Sequence, residues 1–212
     1  MMSSSNECGT VFIVDDDASV LKGISRIVRL AGYEAVTHTS AEEFLHQAKP
    51  SSPSPCCLVV DLTMPGMGGL DLQQRLIDTG TNCPVIFMSG NGSIPATVQA
   101  MKRGAVTFLS KPFDHDDLLQ AISEALGKQM SVENQSRRVI EIRQRIRNLT
   151  DREKEVMGWV ISGMLNKQIA ARMGIVEKTV KVHRARVMGK MQTQSVAELT
   201  RLCADAEFPP NR

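Results

Sequence analysis

The chain has 212 residues, 42% of them hydrophobic and 23% charged, which excludes a disordered protein and leaves room for one large domain or two small ones. The formal net charge of +2 hides an uneven split: residues 1–127 hold 8 Lys and Arg against 14 Asp and Glu, whereas residues 128–212 hold 17 against 9. A net of −6 beside a net of +8 points the second half toward a polyanion, with nucleic acid ahead of a merely solvated basic face.

The five cysteines, Cys8, Cys56, Cys57, Cys83 and Cys203, are odd in number and lack any Cys-x-x-Cys or Cys/His ligand spacing. Reduced thiols fit that pattern better than a disulfide framework or a zinc site. No apolar run approaches a membrane span, and the opening Met-Met-Ser-Ser-Ser-Asn-Glu-Cys-Gly lacks the basic and apolar regions of a signal peptide. The expectation is a cytoplasmic protein without a membrane partner.

Thr10 to Val14 is a β-branched apolar run ending on Asp15-Asp16-Asp17, which reads as a strand. A helix follows with Val20, Ile24, Ile27, Val28 and Ala31 on one face and Gly32 at its end. Tyr33–Thr37 is a second strand, and Ser40-Ala41-Glu42-Glu43 has the spacing of a capping box, with Phe44 and Leu45 behind it. Pro50–Pro55 is a surface loop. The third strand ends on Asp61, and Leu70 to Ile77 supply a helix. Pro84–Met88 is a fourth strand running into Ser89-Gly90-Asn91-Gly92. A helix around Ala96–Lys102 leads through Gly104 to a fifth strand at Val106–Leu109, closed by Ser110-Lys111-Pro112-Phe113. A helix from about Asp116 to Leu126 completes five strands alternating with five helices, the pattern of a parallel sheet covered on both faces.

The polar residues at the strand ends share one edge of such a sheet. Asp15 and Asp16, Asp61, Ser89 and Lys111 each follow a different apolar strand, at the carboxyl edge where open α/β sheets bind ligands. In the bland reading Asp61 starts a turn and the other acids cap helices. Gathered carboxylates repel unless a cation sits among them, and a hard dication with oxygen ligands, Mg²⁺ or Mn²⁺, resolves the conflict. A lysine and a hydroxyl facing the same spot suit the oxygens of a transferred phosphoryl group, with Asp61 as nucleophile.

This set, namely the acidic pair, Asp-x-x-Met-Pro-Gly-Met-x-Gly, the strand-four hydroxyl and Lys-Pro-Phe, resembles the receiver domain of two-component response regulators over residues 10–127. The resemblance implies a flavodoxin-like (βα)5 receiver with Asp61 as phosphoacceptor. Asp16, Asp61 and the backbone carbonyl of Thr63 then bind Mg²⁺, with Asp15 assisting through water. It also implies that Ser89 and Lys111 meet the phosphoryl oxygens, and that Phe108 occupies the aromatic switch position without a tyrosine hydroxyl. Asp17 reads as a solvated helix-start residue. Thr63 and Asn91 fall where such domains tune phosphate lifetime. A haloacid dehalogenase places a second Asp two residues after its nucleophile; Thr63 stands there instead.

Residues 128–148 read as a partly helical linker, with Val132, Val139, Ile142 and Ile146 forming a thin apolar pattern in Arg-rich sequence. Thr150 and Glu153 frame a second capping box, followed by a helix with Val156, Met157, Trp159 and Val160 inward. Asn166–Met173 and Glu177–Met191 are two helices joined at Gly174, the second lined with Lys and Arg, and Ser195 opens a fourth. Two short helices joined by a tight turn, the second basic, form a helix-turn-helix signature, against the plain alternative of a small helical bundle.

Residues 149–203, within a domain taken as 149–212, are similar to the LuxR-type four-helix DNA-binding domain, on Leu149-Thr150-x-Arg152-Glu153, Asn166-Lys167-x-Ile169-Ala170 and Thr179-Val180-Lys181-Val182-His183-Arg184. By that likeness Lys181, Val182 and Arg186 face bases, while Lys167, Lys178, Thr179, Arg184 and Lys190 hold the DNA backbone. Val176 stands where the family usually has a Ser or Thr cap. His183 reads as a packing or phosphate-contacting residue.

The two resemblances together, closest in motif to the FixJ branch, imply a transcription factor and not an enzyme. A sensor histidine kinase phosphorylates it on Asp61, it dimerises, and it binds promoter DNA to activate transcription with RNA polymerase. Two rivals stand beside that reading: a phosphorylation-independent DNA binder with a degenerate receiver, and a phosphorelay carrier or phosphate-hydrolysing protein.

Overall fold

The computed structural model describes residues 9–48, 55–90 and 94–211, so Cys8, the loop at Pro50–Ser54 and Asn91 lie outside the described residues. The chain divides into two compact units, Met1–Val132 and Glu133–Arg212.

The first unit is built on five strands: β1 (Thr10–Val14), β2 (Glu34–His38), β3 (Cys56–Asp61), β4 (Val85–Ser89) and β5 (Thr107–Ser110). They pair in parallel in the order β2-β1-β3-β4-β5. Between and after them run α1 (Ala18–Leu30), α2 (Ala41–Gln47), α3 (Gly69–Asp78), α4 (Ile94–Lys102) and α5 (His115–Arg147). Period-two alternation sends Val11 and Ile13 to one face of the sheet, against Leu21, Ile24 and Val28 of α1 and Leu118 and Ile122 of α5. Phe12 and Val14 go to the other, against Phe44 of α2, Leu72 and Leu76 of α3 and Ala100 of α4. Burial on both faces is why β3 and β4 read as unbroken apolar runs.

Local details depart from the sequence expectation. α1 buries Leu21, Ile24, Ser25 and Val28, and Ala31 is its exposed C-cap. Asp17 is the N-cap, accepting from Ser19 N at 2.7 Å, and the expected Val20 and Ile27 flank the buried stripe, partly buried against the same core. At α2 Ser40 Oγ accepts from Glu43 N, but Glu43 reaches past the cap and accepts from the backbone and hydroxyl of Thr39, so half a capping box forms. The stretch 128–147 is one continuous part of α5, which passes through Gly127 without a break.

The second unit comprises the end of α5 with α6 (Asp151–Ile161), α7 (Asn166–Met173), α8 (Glu177–Met191) and α9 (Val196–Asp205). Ile142, Leu149, Val156, Met157, Ile169, Val180, Val187 and Leu199 form its core. The capping box at Thr150 is complete, with Glu153 N donating to the Thr150 hydroxyl and Thr150 N donating to the Glu153 carboxylate. Met157, not Trp159, takes the fully buried place; the indole is half-buried, with the Arg172 guanidinium 4.7 Å above its ring. Gly174 makes the turn between α7 and α8 in the left-handed conformation (φ 65°), which a glycine adopts without strain. Gly158 lets the C-terminal segment lie against α6: a Cβ there would collide with Asn211, whose amide donates to Glu155 O at 2.9 Å.

Candidate functional site

The strand order reverses at the β1/β3 boundary, the switch point where an open α/β sheet leaves a crevice. Val14 pairs with Val60, so Asp15 and Asp61 leave adjacent strands side by side. Both are buried, as is Ser89 at the end of β4. Lys111, just past β5, reaches into this edge and places its Nζ 2.6 Å from Asp15 Oδ2 and 2.6 Å from Asp61 Oδ1. The remaining two oxygens are also engaged: Asp15 Oδ1 accepts from Asp17 N at 2.9 Å, and Asp61 Oδ2 accepts from Thr63 N at 2.7 Å. Burial pulls the Lys111 ammonium toward neutrality, but the hydrogen bonds and charges of Asp15 and Asp61 outweigh it and hold its pKa above the ordinary lysine value.

The loop after Asp61 is fixed by close backbone approach. Leu62 N donates to Met88 O at 2.8 Å and Gly69 N to Leu62 O at 3.1 Å. A Cβ on Gly69 would lie 2.5 Å from the carbonyl oxygen of Asp61, so glycine is required where α3 starts against β3. Lys111 N donates to Ser89 O at 2.8 Å, tying the lysine's backbone to the strand that carries the serine. Phe108, opposite Phe87 across β4 and β5, is half-buried against the second core.

Asp15, Asp61, Ser89 and Lys111 thus converge at one edge. Asp16 is exposed, and among the described residues Lys111 pairs with Asp15 and Asp61 but not with Asp16. No group of three or more His, Cys, Asp or Glu side chains among the described residues is gathered as a metal cluster. The donor chemistry nevertheless fits a hard dication: two buried carboxylates already close on one cation, the ammonium of Lys111.

In the second unit Val180, Val187 and Met191 bury one side of α8, and Lys178, Lys181, Val182 and Arg186 are exposed along the rest. Ala185 and Gly189 complete that exposed face, and sequence reasoning passed them over because small residues carry no charge signal. Lys167 is exposed on α7, and Thr179 is half-buried. Two of the expected phosphate-holding cations are engaged inside the unit. Arg184 donates to Asn166 Oδ1 at 3.0 Å, at the start of α7. Lys190 sits 2.7 Å from the buried carboxylate of Glu153 and 3.2 Å from Asn148 O. The Lys190 hydrogen bond, together with that from Thr150 N, holds the Glu153 carboxyl down at about 2. The N-cap of α8, Val176, makes no side-chain cap bond and is exposed.

A strand-edge cluster of two carboxylates, a lysine and a buried serine, in one chain with a helix-turn-helix, defines a receiver coupled to a DNA-binding unit. Residues 11–123 match the response regulator receiver domain, and residues 147–203 match the luxR family of bacterial regulatory proteins. The chain is 42% identical to Nodulation protein W of Bradyrhizobium diazoefficiens over 91% of its own length and 84% of that protein's. It is 38% identical to the transcriptional regulatory protein FixJ of Rhizobium meliloti, over 95% of this chain and 98% of the other. The solved structure of the response regulator StyR superposes with a TM-score of 0.81 at 41% identity, covering 93% of this chain and 98% of that one. The chain belongs to the response regulators that join a receiver to a LuxR-type DNA-binding domain, and it is a transcriptional regulator of that family. None of its described helices is long and apolar enough to cross a membrane.

Proposed function

We propose that Asp61 is the phosphoacceptor of this regulator and that a sensor histidine kinase is its donor. The observation that carries the reading is the pairing of Asp61 and Asp15 with one lysine ammonium at the carboxyl ends of β1, β3 and β5. A carboxylate oxygen of Asp61 bonds to phosphorus as the P–N bond of the donor phosphohistidine breaks, and the departing imidazole keeps the electron pair and takes a proton. Lys111 then pairs with the new phosphoryl oxygens and the Ser89 hydroxyl donates to them. Asp15, Asp16, Asp61 and the Thr63 carbonyl would hold Mg²⁺ or Mn²⁺, which would supply charge neutralisation for the transferring group. Phe108 repacks as Ser89 moves, altering the surface at α4 and β5.

That surface then pairs two copies of the chain. The fold supports the choice: α4 leaves Val98 and Met101 half-exposed. The dimer sets two α8 helices on half-sites about one helical turn apart in double-stranded promoter DNA. Lys181, Val182 and Arg186 read bases and Lys167, Lys178 and Thr179 hold phosphates. Arg184 and Lys190, already engaged within the unit, reach phosphates with the donors that their bonds to Asn166, Asn148 and Glu153 leave over. The bound dimer works in the cytoplasm and recruits RNA polymerase. Residues 1–127 act as the receiver, 128–148 as linker and 149–212 as the DNA-binding domain.

Beryllofluoride, a phosphoryl mimic, tests the reading. In the presence of Mg²⁺ the intact protein should shift from monomer to dimer in mass, and Asp61→Asn should stay monomeric. If Asp61→Asn dimerised equally under those conditions, the phosphoacceptor assignment would fail.

A further inference from the structure

The amino ends of β3 and β4, at the edge of the sheet away from Asp61, bring together two cysteines that phosphoryl transfer does not use. β3 and β4 pair in parallel with Leu58 beside Val85, and the same register carried two residues back sets Cys56 beside Cys83. Leu58 N donates to Pro84 O at 2.9 Å, which holds that register just before β4 starts. Both side chains belong to the same core, and their sulfurs are 4.0 Å apart. Neighbouring strands lie about 4.8 Å apart, inside the Cα separation of roughly 4.4–6.8 Å that a disulfide spans. The sulfurs have about 2 Å to close, a distance within reach of side-chain rotation. Cys57, next in sequence, faces the other side of the sheet in the other core, so it cannot take the place of Cys56.

Two further features set this pair apart from thiols that only fill a core. Cys83 lines a cavity of about 270 Å³ at this end of the sheet, ample for a peroxide beside the roughly 30 Å³ that a water occupies. Cys56 is held by Gln129 of α5: Oε1 accepts from Cys56 N, while Nε2 donates to Cys56 Sγ at 3.5 Å and to Asn82 O at 3.0 Å. The Cys56 sulfur is therefore part of the clasp that fastens residues 128–132 of α5 to the start of β3.

We propose that Cys56 and Cys83 are a reversible thiol–disulfide pair, oxidised by a peroxide, and that closing the bond loosens the Gln129 clasp on α5. The peroxide converts the Cys83 thiol to a sulfenic acid and releases one water. The Cys56 sulfur then attacks that sulfur, the S–O bond breaks as the S–S bond forms, and a second water leaves. The two thiols together give up two electrons and two protons, and the peroxide is reduced to two waters. The rotation that brings Cys56 Sγ to Cys83 breaks its contact with Gln129 Nε2. The hydrogen bond with Cys56, then burial, hold the Cys83 thiol well above its ordinary pKa, so oxidation is slow at neutral pH and quickens as pH rises. The pair shares no residue with the phosphoacceptor pocket and does not depend on that assignment.

The full-length protein is treated with hydrogen peroxide, quenched, alkylated with N-ethylmaleimide in urea and digested without reductant for mass spectrometry. The expected product is a cross-linked peptide pair lighter by two hydrogens than its reduced halves, with Cys56 joined to Cys83, Cys57 alkylated, and the link lost after dithiothreitol. Fragmentation of the native protein's peptides assigns the joined cysteines whether or not a variant folds. Cys57→Ala should still form the link, Cys83→Ala should not, and Asp61→Asn should oxidise as the native protein does. Hydrogen exchange at residues 128–132 should rise several-fold on oxidation and return on reduction. Three results overturn the proposal. No link in protein kept folded at alkaline pH means that the thiols only fill the core. A link through Cys57 means that the strand register does not choose the pair. Equal exchange in the oxidised and reduced forms means that the bond does not reach α5.

Discussion

Glu153 illustrates how one residue serves two structural ends. Its backbone N–H and carboxylate close the capping box of α6, and the same carboxylate anchors Lys190 near the end of α8. Because its folded pKa is about 2, below the ordinary 4.5, the stabilisation is present above pH 4.5 and is lost as pH falls toward 2. Allowing for the solvent around the partly exposed lysine, the loss amounts to about 1–2 kcal/mol. Acid unfolding of the second unit, followed by circular dichroism, should show this slope between pH 4.5 and 2, and Glu153→Gln should flatten it. The capping role was legible from Thr150-x-x-Glu153. The tie to Lys190 was not, because a basic residue on a basic helix looks the same in sequence whether it faces DNA or a buried acid.

Among the elements, α8 and α5 each carry a local weakness. Val176 has the extended backbone of an N-cap (φ −81°, ψ 148°) but no oxygen to offer the first turn. Val176→Ser should stabilise the second unit by about 1 kcal/mol in urea denaturation, since it adds the missing acceptor at an exposed position. Gly127 lies inside α5, and a Cβ there would meet nothing within 4 Å. Gly127→Ala should therefore stabilise the protein by about 0.5–1 kcal/mol, read as a rise in the unfolding midpoint. The same glycine explains why sequence reading stops the last receiver helix near Leu126. Gly followed by polar residues resembles a helix end, and after Gln129 the apolar spacing is too sparse to mark a core-facing stripe. The five strands were far easier, because a parallel sheet buried on both faces leaves runs such as Cys57–Val60 uniformly apolar.

For the whole molecule, the sequence already divided an acidic sheet domain from a basic helical one, and family and structural likeness extend over nearly the entire chain. Convergence of Asp15, Asp61, Ser89 and Lys111 was readable because strand ends of a parallel sheet share an edge. What sequence could not supply was the pairing within that edge. Asp15, not Asp16, sits with Asp61 on the lysine, a choice made by the direction in which the backbone leaves β1 at its last residue.

Lys111 offsets one of the two carboxylate charges of the resting pocket. The chain carries its own counterion for one of the two charges of Asp15 and Asp61, so this edge leans less on potassium or sodium from solution than two unpaired acids would. Thermal stability of the native receiver should accordingly change little as KCl is raised. In Lys111→Met the two carboxylates lose their resident cation, and stability should fall at low salt and recover with added KCl or, more steeply, with MgCl₂. A variant whose melting temperature followed the native salt profile would show that the ammonium balances no charge there. On this view the lysine lets the regulator keep two acids side by side through every change in the ionic composition around it.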